Sequence, residues 1–121
     1  MNLKLKSLIE ENKAWKTQIK QLESENIDFK SQLVALLKTY HGRVAISQVE
    51  VFHNRLLQMD EQIMLLRHEI REQEHLLQED SIPYSKAINK QRQLEVKLIV
   101  VQENLDKLRA TFHEYIRQFQ L

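Results

Sequence analysis

Apolar residues recur along positions 5–40 in alternating steps of three and four. Counting by sevens from Leu5 gives Leu5, Asn12, Ile19, Asn26, Leu33 and Tyr40. Counting from Leu8 gives Leu8, Trp15, Leu22, Phe29 and Leu36. This is the a/d seam of a helix that packs against other helices. Every position of the two series is apolar or aromatic except Asn12 and Asn26.

A second seam follows in a different phase. Its a positions are Val49, Leu56, Ile63, Ile70 and Leu77, and its d positions are Ala45, Phe52, Met59, Leu66 and Gln73. One unbroken helix would carry the two stripes on different faces, so the phase change predicts a turn. The sole glycine, Gly42, stands there, where a left-handed residue commonly ends a helix. Ser47-Gln48-Val49-Glu50 then matches a capping box, with Ile46 and Val51 at staple spacing. The break is expected within 41–46. At the start of the chain Ser7-Leu8-Ile9-Glu10 is another capping box and Asn2 a competing cap. The earlier start is favoured, because Leu5 already belongs to the seam.

The third seam reads Tyr84, Gln91, Leu98, Leu105, Phe112 and Phe119 at a, and Ala87, Leu94, Val101, Leu108 and Tyr115 at d. Pro83 separates it from the second, because it lacks an N–H and disfavours helical geometry at Ile82. Asp80 or Ser81 is the expected cap, with Pro83 in the first turn. The heptad phase crosses this break unchanged, so one kinked helix is the alternative to two separate ones.

The pattern therefore predicts an all-α chain, a single helical domain over 1–121, with helices over about 3–40, 44–79 and 83–120. Each would be about 55 Å long at 1.5 Å per residue. Similar lengths and short connections favour an up-down-up antiparallel three-helix bundle with coiled-coil-like packing. Ile9, Ile27, Val34, Leu37, Leu57, Met64, Ile88, Ile99 and Ile116 flank the seams and are expected to widen the buried stripe.

Seam asparagines carry a further expectation. An a-position Asn often pairs with its own copy across a parallel dimer and so sets register; the alternative is a bond within one bundle. On the first reading helix one is the self-association element, through Leu8, Asn12, Trp15, Ile19, Leu22, Asn26, Phe29, Leu33 and Leu36.

Composition sharpens this picture. Gly and Pro occur once each among 121 residues, which leaves little turn chemistry for sheets. Cysteine is absent, which removes disulfides and thiolate sites and fits a reducing compartment. The N-terminal residues lack the apolar run of a secretory signal, and no run approaches the roughly 20 residues of a membrane span. A cytoplasmic protein without a membrane span is expected. The net charge of +1 conceals an alternation. Residues 1–42 hold seven Lys against five acids, residues 43–80 four Arg against eight acids, and residues 81–121 seven Lys or Arg against four acids. An acidic middle helix between two basic ones suits packing beside both.

Candidate chemistry is sparse. Glu-x-x-His occurs as Glu50–His53 and Glu72–His75, the spacing that di-iron bundles use. Both copies lie on one helix, Glu50 at b and His53 at e, Glu72 at c and His75 at f, so that at least the second faces solvent, and no seam carboxylate completes a cage. His41, His68 and His113 also fall outside the seams. A single glycine cannot build a phosphate loop, and no nucleophile elbow exists. Lys86, Lys90, Arg92, Lys97, Lys107, Arg109 and Arg117 make the third helix basic, with acids such as Glu95, Glu103 and Asp106 interleaved. No catalytic residue, metal ligand or cofactor site is expected. The expected function is a non-catalytic scaffold, adaptor or assembly subunit working through protein–protein contacts. Its partners would be a second copy, with a dimer favoured, and a helical partner protein. The alternative is a small nucleic-acid-associated or regulatory protein using the basic outer faces of helices one and three, disfavoured by the near-neutral total charge.

Overall fold

The computed structural model describes residues 3–79 and 82–119. Three helices, α1 (Leu3–Thr39), α2 (Ile46–Gln78) and α3 (Tyr84–Arg117), follow one another and all pack pairwise. Contacts between α1 and α2 descend one helix as they ascend the other: Asn12 meets Ile70, and Asn26 meets Leu56. Contacts between α1 and α3 rise together, from Leu8 with Gln91 to Glu25 with Arg109. Between α2 and α3 the order reverses again, from Gln73 with Gln91 to Gln62 with Asn104. The chain is thus an up-down-up, all-α three-helix bundle. The second and third seams belong to separate antiparallel helices rather than to one kinked rod.

The heptad seams are the core. All a and d positions of the three helices are buried except Tyr40, Val49 and Tyr84, which are half-buried, and Ala45, which precedes α2. A fully buried Leu or Ile contributes roughly 1.5–3 kcal/mol by leaving water, so this repeated burial is what holds the three long helices together. The flanking apolar residues do not all follow. Ile9 is buried, and Leu37, Ile88 and Ile116 are half-buried. Ile27, Val34, Leu57, Met64 and Ile99 remain exposed. Three helices meeting along a common axis close over the a/d stripe, so only part of the wider stripe finds a neighbour.

Aromatic rings bind one end. The Phe112 centroid lies 5.4 Å from both Phe29 and Phe52. Tyr115 stacks on Phe52 at 4.7 Å, and Phe119 joins Tyr115 to Tyr40. The Arg43 guanidinium covers the rings of Tyr40 and Phe119 at 5.6 and 5.9 Å, at cation–π distance. At the other end a smaller cluster gathers Leu5, Leu8, Ile9, Leu77 and Ala87.

α1 already includes Leu3, in line with the favoured earlier start, and Ser7 lies inside it. The other helix ends differ from the capping expectations. α2 begins at Ile46 with Ala45 as its cap residue and no side-chain cap bond; Ala45 O instead accepts from Gln48 and Val49 N–H. Ser47 therefore sits in the first turn, and Ile46 and Val51 are exposed rather than stapled. Gly42 is not left-handed: it lies in a turn that Arg43 N–H closes onto Tyr40 O at 2.8 Å, and an added Cβ would meet nothing within 4 Å. Pro83 is itself the cap residue of α3, in extended geometry with φ −60° and ψ 136°, one position before the first turn. The expected caps Asn2, Asp80 and Ser81 lie outside the described residues.

Candidate interaction surface

The nine seam residues of helix one, Leu8 through Leu36, are all at most 8% exposed and face α2 and α3 of the same chain. Asn12 Nδ2 donates to Ile70 O at 3.4 Å. Asn26 Nδ2 donates to Leu56 O at 3.0 Å and to Asp60 Oδ1 at 2.7 Å. Each Asn therefore marks a level on α2, and each leaves its own Oδ1 buried without a partner among the described residues. Association of copies through this seam would require α1 to exchange its own α2 and α3 for those of another chain.

Two more seam amides do the same work. Gln73 Nε2 donates to Ala87 O at 3.0 Å and to Gln91 Oε1 at 3.2 Å. Gln91 Nε2 continues to Leu8 O at 3.1 Å and Glu11 Oε1 at 2.9 Å. This relay crosses all three helices and, with Asn12, separates the large apolar core from the smaller cluster at the end. The sequence placed Gln73 and Gln91 on the seams but attached no role to them. The signal was the one that singled out the asparagines, a polar side chain at a seam position.

Charge at the seam margins follows the alternation along the chain. Acidic α2 receives Lys16 on Glu74 and Lys30 on Asp60 from α1, and Lys90 and Lys97 on Glu69 from α3. Arg67 of α2 returns a bond to Glu23, while α3 reaches α1 through Arg92–Glu11 and Arg109–Glu25. The Lys97 hydrogen bond, with help from Lys90, holds the Glu69 carboxyl below its ordinary range despite some burial. The Glu11 and Glu25 carboxylates raise Arg92 and Arg109 in turn. Of the seven cations of the third helix, Lys90, Arg92, Lys97, Arg109 and Arg117 are thus paired with carboxylates.

The Glu-x-x-His residues are all exposed. Glu72 bonds His68, one turn back, at 2.9 Å rather than turning to His75. Among the described residues, no three His, Cys, Asp or Glu side chains are grouped to hold a metal ion.

What remains on the outside is a long groove between α2 and α3. Its middle is aliphatic: Leu65 is 60% exposed, Val96 59% and Val100 47%, over a floor of Leu66 and Val101 and a volume of about 340 Å³. Glu69–Lys97 closes one edge, and the Asn104–Gln62 amide pair stands at the other. Beyond that amide pair the groove widens to about 590 Å³ between Arg55, Gln58, Lys107 and Thr111. Among the described residues, no carboxylate lines this wider section. Arg55 and Lys107 form no ion pair among the described residues. Smaller hollows lie beside Ile27 and Met64 on the α1–α2 side, and beside Trp15 and Ile99 on the α1–α3 side. Leu65, Val96 and Val100 fall off the seams, so the heptad count passes over them; their signal is an apolar residue where an outer position should be polar.

Among the described residues no helix is long and apolar enough to cross a membrane. Comparison with protein-family models, with curated proteins and with solved structures finds no match to the chain.

Proposed function

We propose that this chain is a non-catalytic helical scaffold, adaptor or assembly subunit. It works in the cytoplasm through helix–helix contacts with a second copy of itself and with a helical partner protein. The observation that carries this reading is the gathering of exposed aliphatic side chains in the inter-helix grooves, foremost Leu65, Val96 and Val100. Exposed apolar groups rimmed by polar ones are what protein contacts use. The buried polar groups support it from the other side, because they are committed to aligning helices and do not converge on an open pocket. Ile27 and Met64, on the opposite side of α2, offer copies a contact separate from the α2–α3 groove.

Light scattering on a sizing column, over a wide range of concentrations, tests self-association. The expected result is a mass above the 14.6 kDa of one chain, growing with concentration toward twice that value. A constant mass of one chain would remove the self-association part. Substituting Met64→Lys is expected to lower the associated fraction if the α1–α2 side forms the contact.

A further inference from the structure

We infer that the α2–α3 groove is a docking site for an amphipathic helix of a partner protein, one that carries carboxylates beyond its apolar anchors. The inference rests on the protein-contact reading above and names the chemistry of that partner.

Shape and chemistry change together along the groove. Leu65, Val96 and Val100 form an aliphatic trough whose charged edge already carries a carboxylate, Glu69, bonded to Lys97 and Lys90. Ten residues along α2 from Leu65, about 15 Å at 1.5 Å per residue, Arg55 of α2 and Lys107 of α3 line a wider section. That section contains amides and a hydroxyl but no acid. Among the described residues, neither Arg55 nor Lys107 forms an ion pair and no acid lines this section with them, so the groove presents two uncompensated cations here. A helix laid along the groove from Glu69 to Arg55 would run about 20 Å, roughly fourteen residues. It would place apolar side chains at i, i+3 and i+4 over the trough, the usual helix-in-groove mode. One or two Glu or Asp about ten residues away would then reach Arg55 and Lys107.

A second copy of this chain is a poor occupant. Set face to face with helices parallel about a twofold axis, it brings Arg55 against Lys107 of the other copy, cation on cation. Turned antiparallel, it lays the acidic α2 against its own copy, and like charges opposed across an interface are disfavoured. Nucleic acid would use the cations but leave the aliphatic trough unexplained.

The test uses the full chain, isotope-labelled for amide NMR, and a synthetic fourteen-residue helical peptide. The peptide has a leucine cluster in its first two turns and two glutamates in its last. Shifts are expected at Leu65, Val96, Val100, Arg55 and Lys107, and not on the α1 face. Replacing the peptide's glutamates by glutamine should weaken binding about tenfold, and replacing its leucines by serine should abolish it. In the chain, Arg55→Glu with Lys107→Glu should weaken the acidic peptide about tenfold and bind a lysine version in its place. These are exposed helix-surface changes that leave the core untouched. Leu65→Ser gives an independent loss of binding.

The inference is overturned by no shifts up to about 1 mM peptide, by shifts spread over all three helices, or by equal binding of the glutamine peptide. A twelve-base-pair DNA duplex that shifts Arg55 and Lys107 more strongly than the peptide would overturn it in favour of nucleic acid. The mass measurement separates this from the broader reading. Association without groove binding removes the groove alone, whereas a monomer without groove binding removes both.

Discussion

The Asn26 side-chain nitrogen lies 2.7 Å from a carboxylate oxygen of Asp60, and the same carboxylate takes Lys30 from one turn further along α1. A buried amide on one helix and a half-buried acid on the next therefore fix a single vertical alignment of α1 on α2. Sliding α2 by one turn would leave the amide and the acid apart, inside or at the edge of an apolar core. Buried polar groups without partners cost about 1–3 kcal/mol, and that penalty falls on the misaligned bundle.

Asn26→Ala and Asp60→Ala are each expected to lower the free energy of unfolding by about 1–2 kcal/mol. Because they remove the same bond, the double substitution should cost less than the two together, with a coupling near 1 kcal/mol. Urea unfolding of the four chains measures it. The solution mass should not change, since the bond lies within one chain; a changed mass would return Asn26 to an inter-chain role.

The Gln73–Gln91 relay predicts the same sign of coupling, but larger. Gln73→Leu or Gln91→Leu alone leaves buried amide groups of its partner with fewer bonds and should cost about 1–3 kcal/mol. Replacing both by Leu removes the relay, leaves only Asn12 in the polar layer, and brings the two apolar clusters into contact beside it. The double variant is expected to be at least as stable as the parent, as when a buried polar set is exchanged for apolar residues of similar volume. Thermal and urea midpoints of the three variants decide it, and a double variant weaker than either single one would show that the relay is stabilising in itself.

Tyr115 packs its ring between Phe52 and Phe119, but its buried hydroxyl has no hydrogen-bond partner among the described residues, and burial raises its pKa. The unfolded chain therefore gives up this proton first as pH rises, so stability is intact below about pH 10 and declines above it. Tyr115→Phe keeps the ring contacts and removes the orphaned group. Its stability at pH 7 should match or exceed the parent by up to about 1 kcal/mol, and its decline above pH 10 should be shallower. A clear loss at pH 7 would mean that the hydroxyl has a partner in solution.

Glu69 gives the acid limb. Its folded pKa is depressed, chiefly by the Lys97 hydrogen bond. As pH falls, the unfolded chain takes up this proton first. The pair's stabilisation is thus present above the usual carboxylate range of roughly pH 4–5 and is lost as pH drops through the folded value. Glu69→Gln should be less stable than the parent at pH 7, with the gap narrowing as pH falls below about 4. Raising the salt concentration at pH 7 should narrow the same gap, because the pair is partly exposed.

Much of the architecture is written locally. A period of 3.5 forces residues seven apart onto one line of a helix, so Leu56, Ile63 and Ile70, or Leu98, Leu105 and Phe112, have to be buried together or not at all. The phase change near Gly42 and the proline at 83 locate the turns for the same reason, and the acidic middle segment already announces that α2 lies between two basic neighbours. The capping boxes were weaker guides. Ser47 and Ser7 have cap chemistry, but the cap is set by where the chain leaves the helix, and that is decided by the packing of Val44 and Tyr40 against the core as much as by Ser-x-x-Glu spacing.

Tertiary structure alone decided the rest. The partner of a polar seam residue depends on which level of a distant helix stands opposite, and nothing within one helix specifies that Asn26 meets Asp60 or that Gln73 meets Gln91. Whether a flanking residue is covered depends on the angle left open between two neighbours, so Ile9 is buried while Ile27, of the same chemistry, stays in water. The α2–α3 groove is of this kind too. Leu65 and Val96 lie far apart along the chain and on different helices, and they become one surface only when α2 and α3 turn their outer edges to the same side.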